Sequence, residues 1–595
     1  MCGFTGILNF EGNATDEKVL RRMGDVIRHR GPDDDGSYMD TYIGLAFKRL
    51  SIIDLQTGHQ PMHKGDSVIV YNGEIYNYRE LRKELKDLGH VFTTKSDTEV
   101  LLTAYLEWGR DALNKLNGMW AFAVWNKTKK RLFFSRDRFG IKPLYYANDG
   151  KRLIFASEIK SVIEGGVKVD INKDDIAEYL HFGFLAGERT LFRDIYAVLP
   201  GSWLEYSSDV MERGFFFDIE NEIIVDDIKH TEDKVMKLLE NSVNDRMISD
   251  VPLGTLLSGG LDSSVLTYIS NNSSKGKFHT FSVKMEEARM DESRYAKDAA
   301  DYIGTTNHTT IVSKEEFTSL LPYIAWLHDE PVNFHNALYM YSVCNLANNF
   351  SVKVLLSGEG ADELFGGYVR YLWTMENVLK RENDFSDDQI MILGSATYGY
   401  DKVMRLIGRV EWNNPWRHKC YEKFKHLPVP DCLMRMDQCT RLVSLLYRQD
   451  RMGMGAGIEV RVPFLDYRLV EFVNKIHSNY KMNKKKSKII LKDIASKIGF
   501  SHDAINRPKM GFPTPVEGWI KKKNFLPYLD FISDGKSSAS ELYDNEYAAQ
   551  LIDEFYKGRG NHGRLIWMLV SLELWSRIFI DKTLKAIHPS KSVAA

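Results

Sequence analysis

The chain has 595 residues, too many for one hydrophobic core, so two or more domains are expected. Its 44% apolar and 27% charged residues are those of an ordinary globular protein, and a net charge of −2 gives no reason to expect nucleic acid or an anionic membrane as partner. Five cysteines with no C-x-x-C pair and no zinc spacing argue against a disulfide scaffold or structural metal and fit a cytoplasmic location.

The opening Met1-Cys2-Gly3-Phe4-Thr5-Gly6 has neither a basic n-region nor a long apolar run, so no signal peptide is expected. Residues 2 to about 206 alternate short β-patterned runs with turns. Ile43 to Phe47, Val68 to Tyr71, Trp120 to Trp125, Leu132 to Ser135 and Leu153 to Ala156 all read as strands. Leu81, Leu85 and Leu88 predict a helix from Tyr78 to Leu88, and Ser96-Asp97-Thr98-Glu99 reads as a capping box opening another. The pattern predicts an α+β domain, an αββα sandwich.

Cys2 is the reactive candidate here. A small residue after Met1 permits removal of the methionine. The freed α-amino group, of reference pKa near ~8, can then act as base for the thiol, near ~8.5. Taken alone, Cys2 is a small residue at the start of a strand. Downstream stand Arg49-Leu50-Ser51-Ile52-Ile53-Asp54, Tyr71-Asn72-Gly73-Glu74-Ile75-Tyr76-Asn77 and Ser96-Asp97. With Cys2-Gly3 these blocks resemble the class II, N-terminal-nucleophile glutaminase domain over its whole length. The resemblance implies that Arg49 grips the α-carboxylate of glutamine and that Glu74 and Asp97 accept its α-ammonium. It implies that Asn72 and the backbone N–H of Gly73 donate to the oxyanion, while Leu50, Ile52 and Ile53 line the pocket. Arg30-Gly31-Pro32-Asp33 and the run from Arg136 to Tyr146 read as scaffold and domain contacts without a chemical role. Asp33-Asp34-Asp35 reads as a solvated loop.

Leu199-Pro200-Gly201 reads as the closing turn of the first domain, which spans 2–206. A linker follows over 207–228, and a second domain fills 229–595. Glu232 to Ile248 predicts an amphipathic helix. Beyond it, helices and strands alternate, which implies an α/β domain with a doubly wound parallel sheet and added helices. Three strand ends carry its chemistry. Val251 to Thr255 leads into Leu256-Leu257-Ser258-Gly259-Gly260-Leu261-Asp262-Ser263-Ser264, ahead of a helix from Val265. A strand, a glycine-rich turn and a helix N-terminus make an anion site, to which Ser258, Ser263 and Ser264 add hydroxyl donors and Asp262 a carboxylate for Mg²⁺. The lysine of the common P-loop is missing. The other ends follow Phe278 to Val283 and Val352 to Leu356, the latter running into Ser357-Gly358-Glu359-Gly360-Ala361-Asp362-Glu363.

The Ser258 to Ser264 loop resembles the pyrophosphate loop of N-type ATP pyrophosphatases, and the whole chain resembles glutamine-hydrolysing asparagine synthetases. The resemblance implies ATP and Mg²⁺. It puts Leu256, Val283, Ser357 and Gly358 on the adenosine, and Asp262 and Asp362 on Mg²⁺. It gives Glu359 a part in forming the acyl-adenylate or positioning the amine, and Lys488 the task of stabilising charge on the phosphates. The run from Arg448 to Asp466 matches a block bordering the acceptor carboxylate, and Arg507 to Phe512 also matches. Lys481, Lys484, Lys485 and Lys486 read as solvated. Leu565 to Ile580 carries Glu573 and Arg577, so it reads as a buried helix, not a membrane span.

The implied activity is that of an ATP-dependent amide ligase. It hydrolyses glutamine, passes ammonia through a buried passage, adenylylates aspartate and forms asparagine. Two alternatives stay open. Gly453, Gly455 and Gly457 stand where bulkier residues are common, and lost side chains could widen the pocket for another carboxylate such as a uronic-acid sugar. The chain could also be a fold relative that has lost one activity, against which Cys2 argues. No nucleic-acid or membrane partner is expected. The assembly stays open between monomer and homodimer.

Overall fold

The computed structural model describes residues 2–207, 210–224, 231–274, 276–286, 291–380, 390–391, 400–408, 414–507 and 516–588. Of the sequence features above, 508–512 and 225–228 lie outside these residues.

The first domain contains strands β1 (Gly3–Asn9), β2 (Asp34–Met39), β3 (Ile43–Arg49), β4 (Met62–Lys64), β5 (Ser67–Ile75), β6 (Gly118–Asn126), β7 (Arg131–Arg136), β8 (Tyr145–Asn148), β9 (Arg152–Ala156), β10 (Tyr196–Ala197), β11 (Ser202–Ser207) and β12 (Val210–Phe215). They form two antiparallel six-stranded sheets, ordered β10-β8-β9-β1-β3-β2 and β12-β11-β7-β6-β5-β4. The alternation along β5 shows why the sheets stack. Val68 and Val70 face the other sheet and meet Phe4, Phe47 and Phe134. Ile69, Tyr71 and Ile75 face the opposite way, onto Leu81, Leu85, Val100 and Leu101 of helices α1 (Tyr78–Asp87) and α2 (Asp97–Trp108). A strand apolar on both faces needs cover on both, which gives the αββα sandwich.

Two local readings change. β12 occupies part of the interval read as linker and pairs antiparallel with β11. Ser96 does cap α2, accepting from the Thr98 N–H at 3.1 Å. Glu99, however, does not close a box. Its carboxylate takes the N–H groups of Thr93 and Thr94, while the Ser96 N–H donates to Thr94 Oγ1.

The second domain opens with helix α3 (Thr231–Arg246) and contains β13 (Leu253–Leu256), β14 (His279–Met285), β15 (Thr306–Val312), β16 (Val354–Leu356) and β17 (Glu459–Arg461). All five pair in parallel, in the order β15-β14-β13-β16-β17. The order reverses between β13 and β16, and ligands of such sheets sit beyond the carboxyl ends at that reversal. Helix α4 (Leu261–Ser273) follows β13 and begins four residues earlier than the apolar pattern suggested, so Asp262, Ser263 and Ser264 stand in its first turn. Helices α5 (Ser293–Ile303) and α6 (Arg441–Gly455) pack on the sheet, and α7 (Ile489–Ile498) and α8 (Gly563–Trp575) pack on other helices of the domain. No helix among the described residues is long and apolar enough to cross a membrane. Instead α8 is buried along its whole length, and Glu573 is satisfied by Ser537, Tyr543 and Arg577. Lys481 departs from the solvated reading: it is buried, paired with Asp431 at 3.4 Å, and burial lowers its pKa to about 8.

The domains share a core. Tyr145, Tyr179 and Phe192 of the first pack with Trp567 and Trp575 of the second. Buried charges stitch the same interface. Arg30 bonds Glu158 (2.9 Å) and Asp450 (2.8 Å), and Arg451 lies 2.7 Å from Glu158 and 3.0 Å from Asp329. Such pairs fix register more than they add stability, because desolvation offsets their attraction.

Candidate active sites

A pocket open to solvent lies at the start of β1. Cys2, Arg49, Leu50, Ile52, Ile53, Gly73, Glu74 and Asp97, all singled out in the sequence, line it. Asn72 stands behind Cys2. Its Oδ1 accepts the Cys2 backbone N–H at 3.2 Å, which turns its amide nitrogen the other way, buried and without a partner. A buried donor left free is costly unless something visits it. Gly73 must be glycine, because a Cβ there would lie 2.2 Å from the Met119 carbonyl on β6. The Cys2 Sγ sits 4.0 Å from the Leu50 carbonyl. Burial pushes the thiol above its ordinary value, and Arg49 is among the groups that pull it back.

Hydrogen bonds tie the pocket walls together. The Arg49 guanidinium holds the Asp54 carbonyl at 2.6 Å and the Ile53 carbonyl at 3.3 Å, shaping the loop that follows β3. Asp250 of the second domain staples that loop: it accepts from the Asp54 N–H at 2.9 Å and donates its own N–H to the Ile52 carbonyl at 3.0 Å. Asp97 accepts from the Tyr71 hydroxyl (2.9 Å) and the Ile75 N–H (3.1 Å). Burial, then the neighbouring Asp97 carboxylate, lift Glu74 well above the usual carboxylate range, while Arg461 pulls it down. Burial also raises Asp97. Two carboxylates held in so little water suit an organic ammonium.

The second cluster lies at the sheet reversal. Leu256 ends β13 and the Ser258 loop joins it to α4. Gly259 has φ +70°, and a Cβ there would strike the Tyr295 backbone of α5 at 2.4 Å. Ser258 and Ser263 share a hydroxyl contact at 3.1 Å, and the Gly260 N–H donates to Ser258 Oγ at 3.3 Å. Ser264 is buried in the first helical turn. Val283 is buried on β14, two residues before that strand's end. Ser357 and Gly358 follow β16, and a Cβ on Gly358 would sit 3.2 Å from Asp262, so the two loops are in contact. Asp262 and Asp362 converge. The Lys488 Nζ lies 2.5 Å from one and 2.6 Å from the other. Burial works against the Lys488 ammonium, but the two carboxylates outweigh it and hold its pKa above the ordinary lysine value. Lys488 has φ +53°, a conformation that costs a side-chain-bearing residue energy and collects at functional sites. Asp262 keeps a second buried oxygen without a partner, so the donor set fits a hard cation that takes its remaining ligands from phosphate and water. Among the described residues no three His, Cys, Asp or Glu side chains form a self-sufficient metal site.

Glu359 takes a partner that the sequence did not indicate: Arg448 of α6 at 2.8 Å, whose other arm donates to Asn336 at 2.8 Å. Ser357 donates to Gln449 at 3.1 Å. The block from Arg448 therefore does reach this site, and later members touch its loop, the Arg461 carbonyl accepting the Ser357 N–H at 2.9 Å and Leu465 lying against Gly360, but others turn away. Asp450 and Arg451 turn to the first domain, and Glu459 lines the pocket beside Cys2. No sequence pattern shows which way an edge strand faces across a domain boundary. Arg30, read as scaffold, donates to the Cys2 carbonyl at 3.1 Å. Asp33, read as solvated, pairs with Lys353 of the second domain at 2.6 Å.

The two glycines of α6 and the one just after it do not mark an opening. A Cβ on Gly455 would meet Leu327 at 2.5 Å, and one on Gly453 would meet Val460 at 2.9 Å. Gly457 follows the helix with φ +70°. They let the helix approach its neighbours and reverse direction. At Gly453 and Gly455 the space a side chain would have filled is already taken, and at Gly457 it is the positive φ that calls for glycine, so these glycines do not mark a widened acceptor pocket.

Comparison with known proteins covers both sites. The family model for the glutamine amidotransferase domain matches residues 1–217, and that for asparagine synthase matches 234–577. Asparagine synthetase [glutamine-hydrolyzing] 1 of Bacillus subtilis is 33% identical over 98% of this chain and 97% of its own. Asparagine synthetase [glutamine-hydrolyzing] 3 of the same organism is 33% identical over 88% and 89%. A putative asparagine synthetase 2 of Methanocaldococcus jannaschii is 37% identical over 62% and 76%. With likeness running through both domains at nearly full length, the chain belongs to the asparagine synthase family.

Proposed function

We propose that the protein is a glutamine-hydrolysing asparagine synthetase. The observation that carries this reading is the presence, in one rigid chain, of a thiol beside a free amide donor and of a lysine between two aspartates at a parallel-sheet reversal. After loss of Met1, the α-amino group of Cys2 takes the thiol proton, and the sulfur attacks the amide carbon of glutamine. Asn72 Nδ2 and the Gly73 N–H steady the oxyanion; the Cys2 α-ammonium gives its proton to the departing nitrogen, ammonia leaves, and water hydrolyses the thioester to glutamate. Arg49 orients the substrate by its α-carboxylate, and Glu74 and Asp97 by its α-ammonium.

At the second site an aspartate carboxylate oxygen attacks the α-phosphorus of ATP, and pyrophosphate departs. Leu256, Val283, Ser357 and Gly358 hold the adenosine, and the loop from Ser258 to Ser264 holds the phosphates. Asp262 and Asp362 would hold Mg²⁺, which offsets phosphate charge. Lys488 turns from these aspartates to the leaving phosphates. Ammonia then displaces AMP, with Glu359 placed to receive the proton that the new amide sheds.

The test uses protein with a verified Cys2 N-terminus. Glutamate and pyrophosphate release are measured with aspartate and then with a panel of uronic acids. Aspartate should support both and yield asparagine. Absence of glutamate release would end the amidotransferase reading. Pyrophosphate release with a uronic acid alone would move the acceptor.

A further inference from the structure

Glu459 and Arg461 stand on β17, the edge strand of the second domain, yet Glu459 lines the first domain's pocket and Arg461 lies directly behind its wall. Glu459 lines it beside Cys2, Glu74 and Asp97. Arg461 is wholly buried. Its Nε donates to Glu459 at 2.5 Å, and its Nη2 reaches the Glu74 carboxylate at 3.2 Å. Its Nη1 holds the Arg246 and Ile248 carbonyls, each at 2.7 Å, and the Tyr76 ring lies 5.6 Å from the guanidinium. A planar fork anchored this way cannot swing, so the arm on Glu74 is fixed by contacts that all come from outside β5.

The charges explain why the anchor is needed. Glu74, Asp97 and Glu459 bring three carboxylates to one small buried space. Like charges that close do not all ionise without a cation among them. Arg461 supplies that cation from behind, leaving the pocket side of Glu74 open to a ligand. Resting on the glutamine reading above, we infer that the second domain completes the glutamine pocket. Arg461, braced by Glu459, is a positioning residue that holds the Glu74 carboxylate where the α-ammonium of glutamine is received.

The experiment compares two substrates of the full-length protein: glutamine, and 4-carbamoylbutanoate, which is glutamine without its α-amino group. Hydrolysis is followed by ammonia release for wild type, Arg461→Lys and Glu459→Gln. The readout is the ratio of kcat/KM for the two substrates. Both are turned over by the same folded molecules, so this ratio does not move when part of a sample is unfolded. In Arg461→Lys the charge stays but the fork is lost. Its preference for glutamine should fall by about tenfold, through KM for glutamine more than through kcat. Glu459→Gln removes the brace and should lower the preference in the same direction, by about threefold. A preference within twofold of wild type in Arg461→Lys overturns the inference. If that variant hydrolyses nothing, an unchanged preference in Glu459→Gln overturns it. Wild type that hydrolyses neither compound overturns the glutamine reading itself, a result distinct from unchanged preference in the variants.

Discussion

In the pocket beside Cys2 two polar atoms are left waiting: the Asn72 amide nitrogen and one oxygen of Glu74 are buried without a hydrogen-bond partner. At the nucleotide edge the charged groups have taken partners from their own site, Lys488 from Asp262 and Asp362, Arg448 from Glu359. The difference follows from what holds each group. Asn72, Gly73 and Glu74 are interior residues of a strand paired with β6, so neighbouring backbone decides where they point. Lys488, Asp262 and Glu359 sit at helix starts and on a loop, with side chains long enough to find one another. The first site is arranged before substrate arrives. On the proposed function, the second must exchange internal ion pairs for contacts to phosphate, which would make binding and rearrangement there one event.

The widest separation of the two should come from Cys2→Ala. Glutamine-dependent synthesis should fall at least about 10³-fold, while synthesis from added ammonia continues. Loss of both would mean that the sites are not separate. Asp262→Asn tests the other side. Pyrophosphate release should drop about 10²-fold or more with either nitrogen source, and glutamine hydrolysis should persist. Near-normal pyrophosphate release would remove Asp262 from the phosphates and Lys488 with it.

What the sequence showed of this contrast depended on how local each signal was. Glycine turns, strand alternation and the Cys2, Asn72 and Ser258 blocks are properties of neighbouring residues, so the sandwich and both loops could be read before any coordinates. The partner of Glu359 could not. Arg448 lies 89 positions away and reaches it only because α6 packs against β17, the neighbour of β16. Nor could Arg461, which serves a pocket 387 positions away from its own block. Lys481 misled because a lysine beside three others looks solvated, and only packing shows it facing Asp431. The glycines of α6 misled in the opposite sense, since a missing side chain means space only if nothing else occupies it.

The raised carboxylates give a pH test that singles out the prearranged site. Glu74 and Asp97 must be ionised to accept an ammonium, and burial lifts both above their ordinary values. Affinity for glutamine is therefore complete above those raised values and lost as pH falls through them, a window that opens higher than the usual carboxylate range. KM for glutamine, measured from about pH 8.5 down to about 5.5, should climb on the acid side by several-fold. A flat KM across that range would take both carboxylates off the α-ammonium.

The smallest effect should come from Gly455→Ala, which asks whether the acceptor side of the nucleotide site is a packed wall or an opening. The added methyl would meet Leu327 Cδ1 at 2.5 Å, the far end of a flexible side chain, so Leu327 can shift and the strain stays near the low end of the about 1–3 kcal/mol usual for overpacking. Replacing a helical glycine by alanine returns about 1 kcal/mol of that. The net change should lower the thermal midpoint by a few degrees at most, and the choice between aspartate and uronic acids should not move. A change of acceptor preference with unchanged stability would show that substrate, not Leu327, fills the space above Gly455. The glycines would then be part of the site after all. If stability falls and preference holds, the helix is a wall, and selectivity at this site must come from side chains that project from it, Arg448 first among them.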